Sequence, residues 1–156
     1  MSGKVKLNPT KFTQAVVRSF MADSGLEPRT HRPSLTSSQW ALIDITQNRL
    51  QTIHGGTLAS LVDLGGSLAV ASSGRFATGV STDLNVTYLS PGGRPGDVLK
   101  GTATLDKIGK TLAFTQVTFT NSKGQLAARG SHTKYVTGTM GEDGPFVAPA
   151  EFSDVD

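Results

Sequence analysis

The longest continuous apolar pattern in the chain runs through residues 55–72, GGTLASLVDLGGSLAVAS. Drawn as a helix, this segment has apolar side chains on nearly every side: Leu58, Leu61, Val62, Leu64, Leu68, Ala69 and Val70. A helix that is apolar all round is normally buried. We therefore expect one long helix that is enclosed by the rest of the protein.

Beyond this helix, apolar and polar positions alternate, which predicts β-strands. In residues 80–88 the alternation places Val80 and Leu84 toward the helix and Ser81 on the polar face. The loops between the later strands are short, which indicates antiparallel neighbours. Other strands are predicted at residues 34–47, 99–105, 111–120 and 126–136.

One buried helix and a run of antiparallel strands predict an α+β fold in which a single curved sheet wraps around the helix. A length of 156 residues suits one domain. We divide the chain into an N-terminal helix and connection at residues 1–34, the sheet-and-helix domain at 35–137 and a tail at 138–156.

The two ends of the chain differ in character. Phe12, Val16 and Phe20 have helical spacing, so residues 10–22 are predicted to form a short amphipathic helix. Because this segment is basic and lacks acidic residues, it also resembles a mitochondrial presequence. Residues 138–156 are rich in glycine, proline and acidic residues, which predicts a loosely ordered tail.

The composition narrows the kind of partner. The chain has no cysteine, so disulfides and thiolate metal sites are excluded. Residues 1–141 hold all fifteen Lys and Arg against seven Asp and Glu, a net charge of +8, whereas the remaining residues carry −5. A basic core favours an anionic partner. Because no aromatic-basic nucleic-acid motif accompanies it, we favour a phosphorylated small molecule, with an ordinary solvated surface as the alternative.

The sequence gives no sign of a membrane anchor. No apolar run approaches the roughly 20 residues that a membrane-spanning helix needs. The first residues, MSGKVKLNPTKF, lack the apolar core of a secretory signal. We expect a soluble protein of the cytoplasm or the mitochondrial matrix.

The start of the long helix is the first candidate for chemistry. His54 is followed by Gly55 and Gly56, where backbone N–H groups have no intrahelical acceptor and the helix dipole favours negative charge. Such a start can bind an anion, or polarise a carbonyl whose oxygen becomes anionic during a reaction. The alternative is that the two glycines only form a tight turn into the helix.

Asp63 is the second candidate. It lies seven residues beyond Gly56, on the same helix face and about 10 Å away. Groups that act on one reacting carbon need contacts of about 3 Å, so cooperation requires the carboxylate of one subunit and the helix start of another, in a two-fold dimer. The alternative is a carboxylate paired with a buried basic group or a backbone N–H, although its sequence neighbours supply no cation.

Two further glycines, Gly65 and Gly66, stand in the middle of the predicted helix. Each costs roughly 1 kcal/mol relative to alanine in such a position. Close packing against a neighbouring helix or strand explains them, and so does room for an acyl chain. Both explanations suit a dimer built around paired helices.

Taken together, these residues resemble a known family. Asn48, the H-G-G run from His54, Asp63 and the later segments GVSTDLNVTYLSPG, GKTLAFTQVTFTN and GSHTKY are similar to the hotdog-fold thioesterases of the phenylacetate-pathway type. The match is closest to the eukaryotic acyl-coenzyme A thioesterase 13 group, and it covers residues 48–136 in continuous register.

The resemblance implies a hotdog fold, dimers joined edge to edge through their sheets, and tetramers built from those dimers. It implies hydrolysis of acyl-CoA thioesters without a metal or an organic cofactor. By position, Asp63 would be the general base or nucleophile and Ser81 would help to place the attacking water. Gly55 would bind the thioester oxygen, with Asn48 and His54 shaping that end from the opposite subunit.

A CoA substrate would also give the basic core a partner. Gly56 at the helix start is a further candidate contact. Candidates for the CoA phosphates lie on the later strands and turns: Lys107, Lys110, Arg129, His132 and Lys134. For each of these cations the alternative is an ordinary exposed side chain.

Three other functions stay open. A hotdog hydratase or dehydratase would pair a histidine with an acid in a different motif. A non-catalytic acyl-CoA binding protein would keep the helix start and could lose Asp63 freely. A thioesterase acting on carrier-protein-bound acyl groups would use the same chemistry, so the sequence does not separate it from an acyl-CoA hydrolase.

Overall fold

The computed structural model describes residues 3–24, 32–33, 38–41 and 48–154. Its elements in chain order are β1 (Lys4–Lys6), α1 (Pro9–Ser24), β2 (Arg32–Pro33), β3 (Ser38–Ala41), α2 (Gly55–Ala71), β4 (Val80–Tyr88), β5 (Val98–Ile108), β6 (Leu112–Thr120), β7 (Leu126–Tyr135), β8 (Val147–Pro149) and α3 (Ala150–Ser153). None of the helices in these ranges is long and apolar enough to cross a membrane.

Six strands form one antiparallel sheet in the order β2-β3-β5-β6-β7-β4. The long helix α2 packs on this sheet, in contact with β4, β5, β6 and β7. Side chains from both layers form the core, including Val62 of the helix and Val117 and Phe119 of β6. The predicted α+β arrangement, with an antiparallel sheet and a long central helix, is confirmed.

The predicted strand at residues 34–47 is described only in part. Residues 38–41 pair with β5, with Trp40 opposite Leu99. Residues 34–37 and 42–47 lie outside the described residues.

Helix α2 is less uniformly buried than its sequence predicts. Its second half is buried, from Leu64 to Ala71. In its first half, Gly56, Ser60 and Asp63 are exposed. Residues spaced by four and then three positions share one face of a helix, so these three form a continuous strip, which we call the open face of α2.

The N-terminal helix belongs to the domain. Phe12 and Val16 of α1 are buried, and the Phe12 ring makes edge contacts with Phe76 and Phe146 at centroid distances of 6.3 and 5.5 Å. The sequence suggested either a helix that packs on the domain or a mitochondrial presequence, and these contacts are those of a helix that packs on the domain.

The expectation of a loosely ordered tail is wrong for the described part of the tail. Strand β8 pairs with β1, with Val5 opposite Ala148, and Ala148 is fully buried. Phe146 packs against the core. The glycines and acidic residues occupy the turns between these anchors, so a composition typical of disorder accompanies two buried contacts that the composition does not reveal.

Candidate active site

Three side chains from three elements meet on the open face of α2. Ser81 Oγ donates a hydrogen bond to Asp63 Oδ1 at 2.9 Å. His132 Nε2 lies 3.1 Å from the same carboxylate oxygen and 2.8 Å from Ser81 Oγ. Asp63 comes from α2, Ser81 from β4 and His132 from β7, so the sheet and the helix together fix the carboxylate.

A β-bulge brings Ser81 to this cluster. The β4–β7 register shifts between Ser81 and Asp83, so one extra residue lies in β4. Leu84 pairs with His132 on the helix side, as alternation predicts, and the bulge puts Ser81 on that same side. The prediction that Val80 faces the helix is wrong: Val80 is 65% exposed, because the bulge inverts the alternation upstream of it.

The three groups differ in their access to solvent. The Asp63 side chain is 53% exposed, whereas the His132 side chain is fully buried. Burial lowers the pKa of His132 from its ordinary value of 6.5, the Lys134 charge adds to this, and the charges of Asp63 and Asp83 oppose it. The imidazole is therefore neutral at pH 7, beside a carboxylate that solvent and ligands can reach.

The surroundings of the two His132 ring nitrogens indicate which one carries the proton. Among the described residues, His132 Nδ1 has no hydrogen-bond partner. An unpaired buried donor is less readily tolerated than an unpaired acceptor, so we assign the proton to Nε2, which faces Asp63 and Ser81. In this assignment Asp63 Oδ1 accepts hydrogen bonds from two neutral donors.

Gly66 makes room for the histidine. A Cβ added to Gly66 would lie 2.4 Å from His132 Nδ1 and 2.6 Å from Thr115 Oγ1. At Gly65 an added Cβ would lie 3.1 Å from the Val117 side chain. The space beside both glycines is thus filled by the sheet of the same chain, which is the close-packing explanation; room for an acyl chain is not what this chain has there.

A second basic residue lies beside the cluster. Lys134 is only 3% exposed, and its Nζ donates a hydrogen bond to Ser67 Oγ at 2.7 Å. Burial lowers the pKa of Lys134, and the charge of Asp63 opposes that effect. The sequence neighbours of Asp63 supply no cation, but β7 of the fold does.

The start of α2 has one backbone donor available. His54 is the N-cap, and its Nδ1 accepts the Gly56 N–H at 2.9 Å. The N–H groups of Thr57 and Leu58 reach the His54 carbonyl oxygen. In the described ranges this leaves the Gly55 N–H without an acceptor, in the position where an oxygen ligand would meet the helix dipole.

Tyr88 holds this first turn in place. Its hydroxyl donates to the Gly55 carbonyl oxygen at 2.8 Å. A Cβ added to Gly55 would lie 3.2 Å from the Tyr88 ring, so the ring packs directly on the glycine. Tyr88 thereby links the end of β4 to the helix start.

Asn48 shapes the turn that leads into the helix. Its Oδ1 accepts the N–H of Leu50 at 2.9 Å and the Thr52 N–H at 3.3 Å. Gln51 in this turn has a positive φ of 56°. Within one chain Asn48 therefore positions the segment before His54, and its contacts do not reach Asp63.

The five cations predicted to meet the CoA phosphates do not form one surface. His132 and Lys134 are buried beside Asp63, so they are not part of an exposed phosphate site. Arg129 pairs with Thr87 on the side of the sheet turned away from α2. Lys107 pairs with the exposed Phe114 on that same side, and Lys110 lies in the exposed turn before β6.

The structure thus joins Asp63, Ser81 and His132, and it keeps them apart from the group formed by Asn48, His54 and Gly55. The sequence missed Tyr88 and the position of His132. A signal for His132 exists in the alternation of β7, in which Ala128 and Gly130 face the helix. The same alternation places His132 and Lys134 inward, where apolar side chains are expected.

A family model described as the Thioesterase superfamily matches residues 50–128, about half of the 156 residues. The chain belongs to the thioesterase superfamily. The match begins in the turn before His54 and ends in β7, so it includes both Asp63 and Ser81.

Relatives of the superfamily share this part of the chain. Acyl-coenzyme A thioesterase 13 of Mus musculus is 47% identical over 90 residues, which are 57% of this chain and 64% of the mouse protein. The chain spans about three fifths of the length of the curated relatives it matches.

Solved structures of the superfamily have the same fold. Thioesterase superfamily member 2 from Mus musculus aligns with a TM-score of 0.69 and 35% identity, covering 83% of this chain and 98% of the mouse chain. The smu.793 protein of Streptococcus mutans, solved with acetyl CoA, aligns with a TM-score of 0.64 and 26% identity, covering 73% and 92%. These matches agree with the hotdog fold that the sequence predicts.

Proposed function

We propose that this protein hydrolyses acyl-CoA thioesters to a free acid and CoA. The observation that carries the proposal is the cluster of Asp63, Ser81 and His132, in which a half-exposed carboxylate is fixed by two neutral donors. Hydrolysis of a thioester needs a base or nucleophile at a reachable position. A CoA-bound neighbour and relatives named as acyl-CoA thioesterases support this substrate class.

In the proposed reaction Asp63 activates a water molecule that Ser81 helps to place. The water oxygen attacks the thioester carbonyl carbon and its proton passes to the carboxylate. The carbonyl oxygen becomes negative, and the Gly55 N–H at the start of α2 stabilises it. The tetrahedral intermediate then expels the CoA thiolate, which takes the proton from the Asp63 carboxyl group, so that the carboxylate is restored as the acid is released.

The Gly55 N–H would come from a second copy of the chain. The two half-sites lie on one helix, but Gly55 and Asp63 are about two helical turns apart, and no hydrogen bond joins them within the described part of one chain. A two-fold dimer would place the start of one helix opposite the middle of the other. Tetramers of such dimers remain an expectation from the family resemblance.

Strand β4 offers the surface for that dimer. It is the last strand in the described sheet order, and no other described strand pairs with its outer edge. Its side chains include the half-exposed Leu84 and Tyr88. A long edge strand with exposed apolar side chains favours pairing with another chain, which is the edge-to-edge arrangement that the resemblance implies.

The nucleotide end of CoA would lie outside the cleft. Its phosphates need cations that solvent can reach, which excludes His132 and Lys134. The exposed candidates that remain are Lys107, Lys110 and Arg129, contributed by either copy of the dimer.

The decisive experiment is Asp63→Asn, which keeps the shape of the side chain and removes its charge. We expect kcat to fall at least a hundredfold, the effect typical of removing a positioned base, in an assay of free thiol release from short, medium, long and aryl acyl-CoA esters. A variant with most of the wild-type activity would refute the assignment of Asp63. Wild-type protein that binds acyl-CoA without releasing thiol would identify a binding protein instead.

A further inference from the structure

The buried side chain of Lys134 lies on β7, the strand that pairs with β4 at Ser81. Lys134 is cross-strand neighbour to Ser81, whose hydroxyl donates to Asp63. The Lys134 ammonium is held by Ser67 Oγ at 2.7 Å, and Ser67 is buried. Because Ser67 follows Asp63 by four residues, it stands one helical turn away on the same face of α2.

The positive charge of Lys134 needs a nearby anion to stabilise it. A buried ammonium is costly unless an opposite charge is near. The titratable groups on the helix side of the sheet here are Asp63 on α2 and His132 on the same strand, and burial lowers the pKa of His132. Asp83 pairs with Thr133 on the other side of the sheet, although its charge also acts to raise the pKa of His132. For Lys134 itself, the charge of Asp63 is the described influence that opposes the effect of burial.

We propose that Lys134 is a positioning residue for Asp63, with its ammonium fixed by Ser67 so that a positive charge remains near the carboxylate when substrate covers the cleft. The inference rests on the proposed function and adds a residue to it. His132 and Ser81 orient the carboxylate through hydrogen bonds, whereas Lys134 acts on its charge.

The physical reason lies in what substrate binding removes. Water surrounds about half of the Asp63 side chain in the free protein. An acyl chain in the cleft displaces that water, and the ionised form of a carboxylate then becomes unfavourable. A cation inside the protein is not displaced, and its attraction strengthens as water leaves.

The first test compares the pH dependence of kcat, which reports the enzyme–substrate complex, in Lys134→Met and wild-type protein. Methionine keeps the unbranched shape and removes the charge. We expect the acid limb of the profile to move toward higher pH by about one unit, the size typical for loss of a neighbouring opposite charge. Lys123→Met, which removes an exposed cation in the β6–β7 turn, is the matched control. A folded Lys134→Met protein with an unmoved acid limb would overturn the inference.

A chemical rescue separates charge from packing. The chain has no cysteine, so Lys134→Cys can be alkylated at one position in denaturant and then refolded. Alkylation with 2-bromoethylamine restores an ammonium at nearly the original length, whereas 1-bromopropane gives a neutral side chain of similar length. We expect the acid limb to return with the first reagent and not with the second. Equal profiles for both products would show that Lys134 only fills space.

A reciprocal measurement does not depend on changing Lys134 or on activity. Coupling between two groups is mutual, so the pKa of Lys134 should be lower in Asp63→Asn than in the wild type, measured by NMR titration of protein with ¹³C-labelled lysine. An unchanged Lys134 pKa would overturn the inference even where thiol release is lost. Conversely, a lowered Lys134 pKa in Asp63→Asn, together with wild-type protein that does not hydrolyse thioesters, would refute the proposed function and keep the coupling.

Discussion

The first turn of α2 and its middle lie about two helical turns apart, and they offer opposite kinds of polar group. At the first turn the Gly55 N–H has no acceptor among the described residues, and Tyr88 holds this turn through the Gly55 carbonyl oxygen. In the middle it surrounds an acceptor, Asp63, with two donors from the sheet. The start can therefore receive an oxygen, and the middle can receive a proton.

In the proposed mechanism, this difference makes a single chain incomplete as a catalyst. Among the described residues the Gly55 N–H has no acceptor and Asp63 is exposed, and the two groups lie about two turns apart on one helix. A reaction that develops negative charge at one atom and releases a proton from another needs both regions at once. In the proposed dimer, the two regions from different chains complete each other.

Removing the backbone donor at the helix start should have the largest effect on activity. Gly55→Pro removes the N–H and should keep the backbone conformation, because proline suits the first helical position and the extended backbone of His54 suits a residue before proline. We expect kcat to fall by about 10²–10³, the effect of losing one oxyanion donor. Gly55→Ala meets Tyr88 in the same way and keeps the N–H, so it should retain far more activity.

Mixing the two defects tests whether the regions belong to different chains. Asp63→Asn and Gly55→Pro subunits, refolded together, should form hybrid dimers with one site that carries both changes and one that carries neither. Random pairing then gives about a quarter of the wild-type activity from two nearly inactive proteins. Activity that stays at the level of the separate variants would mean that each site lies within one chain.

The middle of the helix can be disturbed through the glycine that admits His132. Gly66→Ala places a methyl group 2.4 Å from His132 Nδ1, and such overpacking typically costs about 1–3 kcal/mol. We expect a lower urea midpoint and displaced Ser81 and Asp63 side chains with reduced kcat. Gly65→Ala meets Val117 at 3.1 Å and should cost less; a larger loss there would contradict this account of the packing.

The smallest expected effect concerns pH and stability. His132 is buried with a lowered pKa, so the unfolded chain takes up a proton at this residue before the folded chain does. The contribution of His132 to stability is therefore fully present above pH 6.5 and is lost as pH falls below it. Urea midpoints between pH 7.5 and 5 should fall less steeply in His132→Gln, and parallel curves would show that other groups dominate.

Much of the fold is legible in the sequence because burial repeats with a period. The apolar surface of α2 and the alternation in β5, β6 and β7 predict one helix on one antiparallel sheet, and Asp63 stands out as a carboxylate in an apolar run. The anchoring of the tail is not legible, because it depends on two long-range contacts, the pairing of β8 with β1 and the packing of Phe146 on Phe12.

The composition of the site is harder to predict than its location. His132 and Lys134 look like exposed strand cations until the register of β7 turns them inward beside Asp63. Ser81 lies on the wrong face by strict alternation, and only the bulge corrects it. In both cases the sequence names the residue, whereas the pairing of strands decides which way it points.

The bulge in β4 shifts the alternation of inward and outward side chains by one residue. Downstream of it, Leu84, Val86 and Tyr88 point at the helix, and upstream the serine takes that role. A substitution scan along β4 should therefore show sensitivity at every second position with one break in phase near Thr82. Deleting that single residue would remove the bulge and leave Ser81 pointing inward, because its pairing with Lys134 would then continue without a break into the pairing of Asp83 with Thr133.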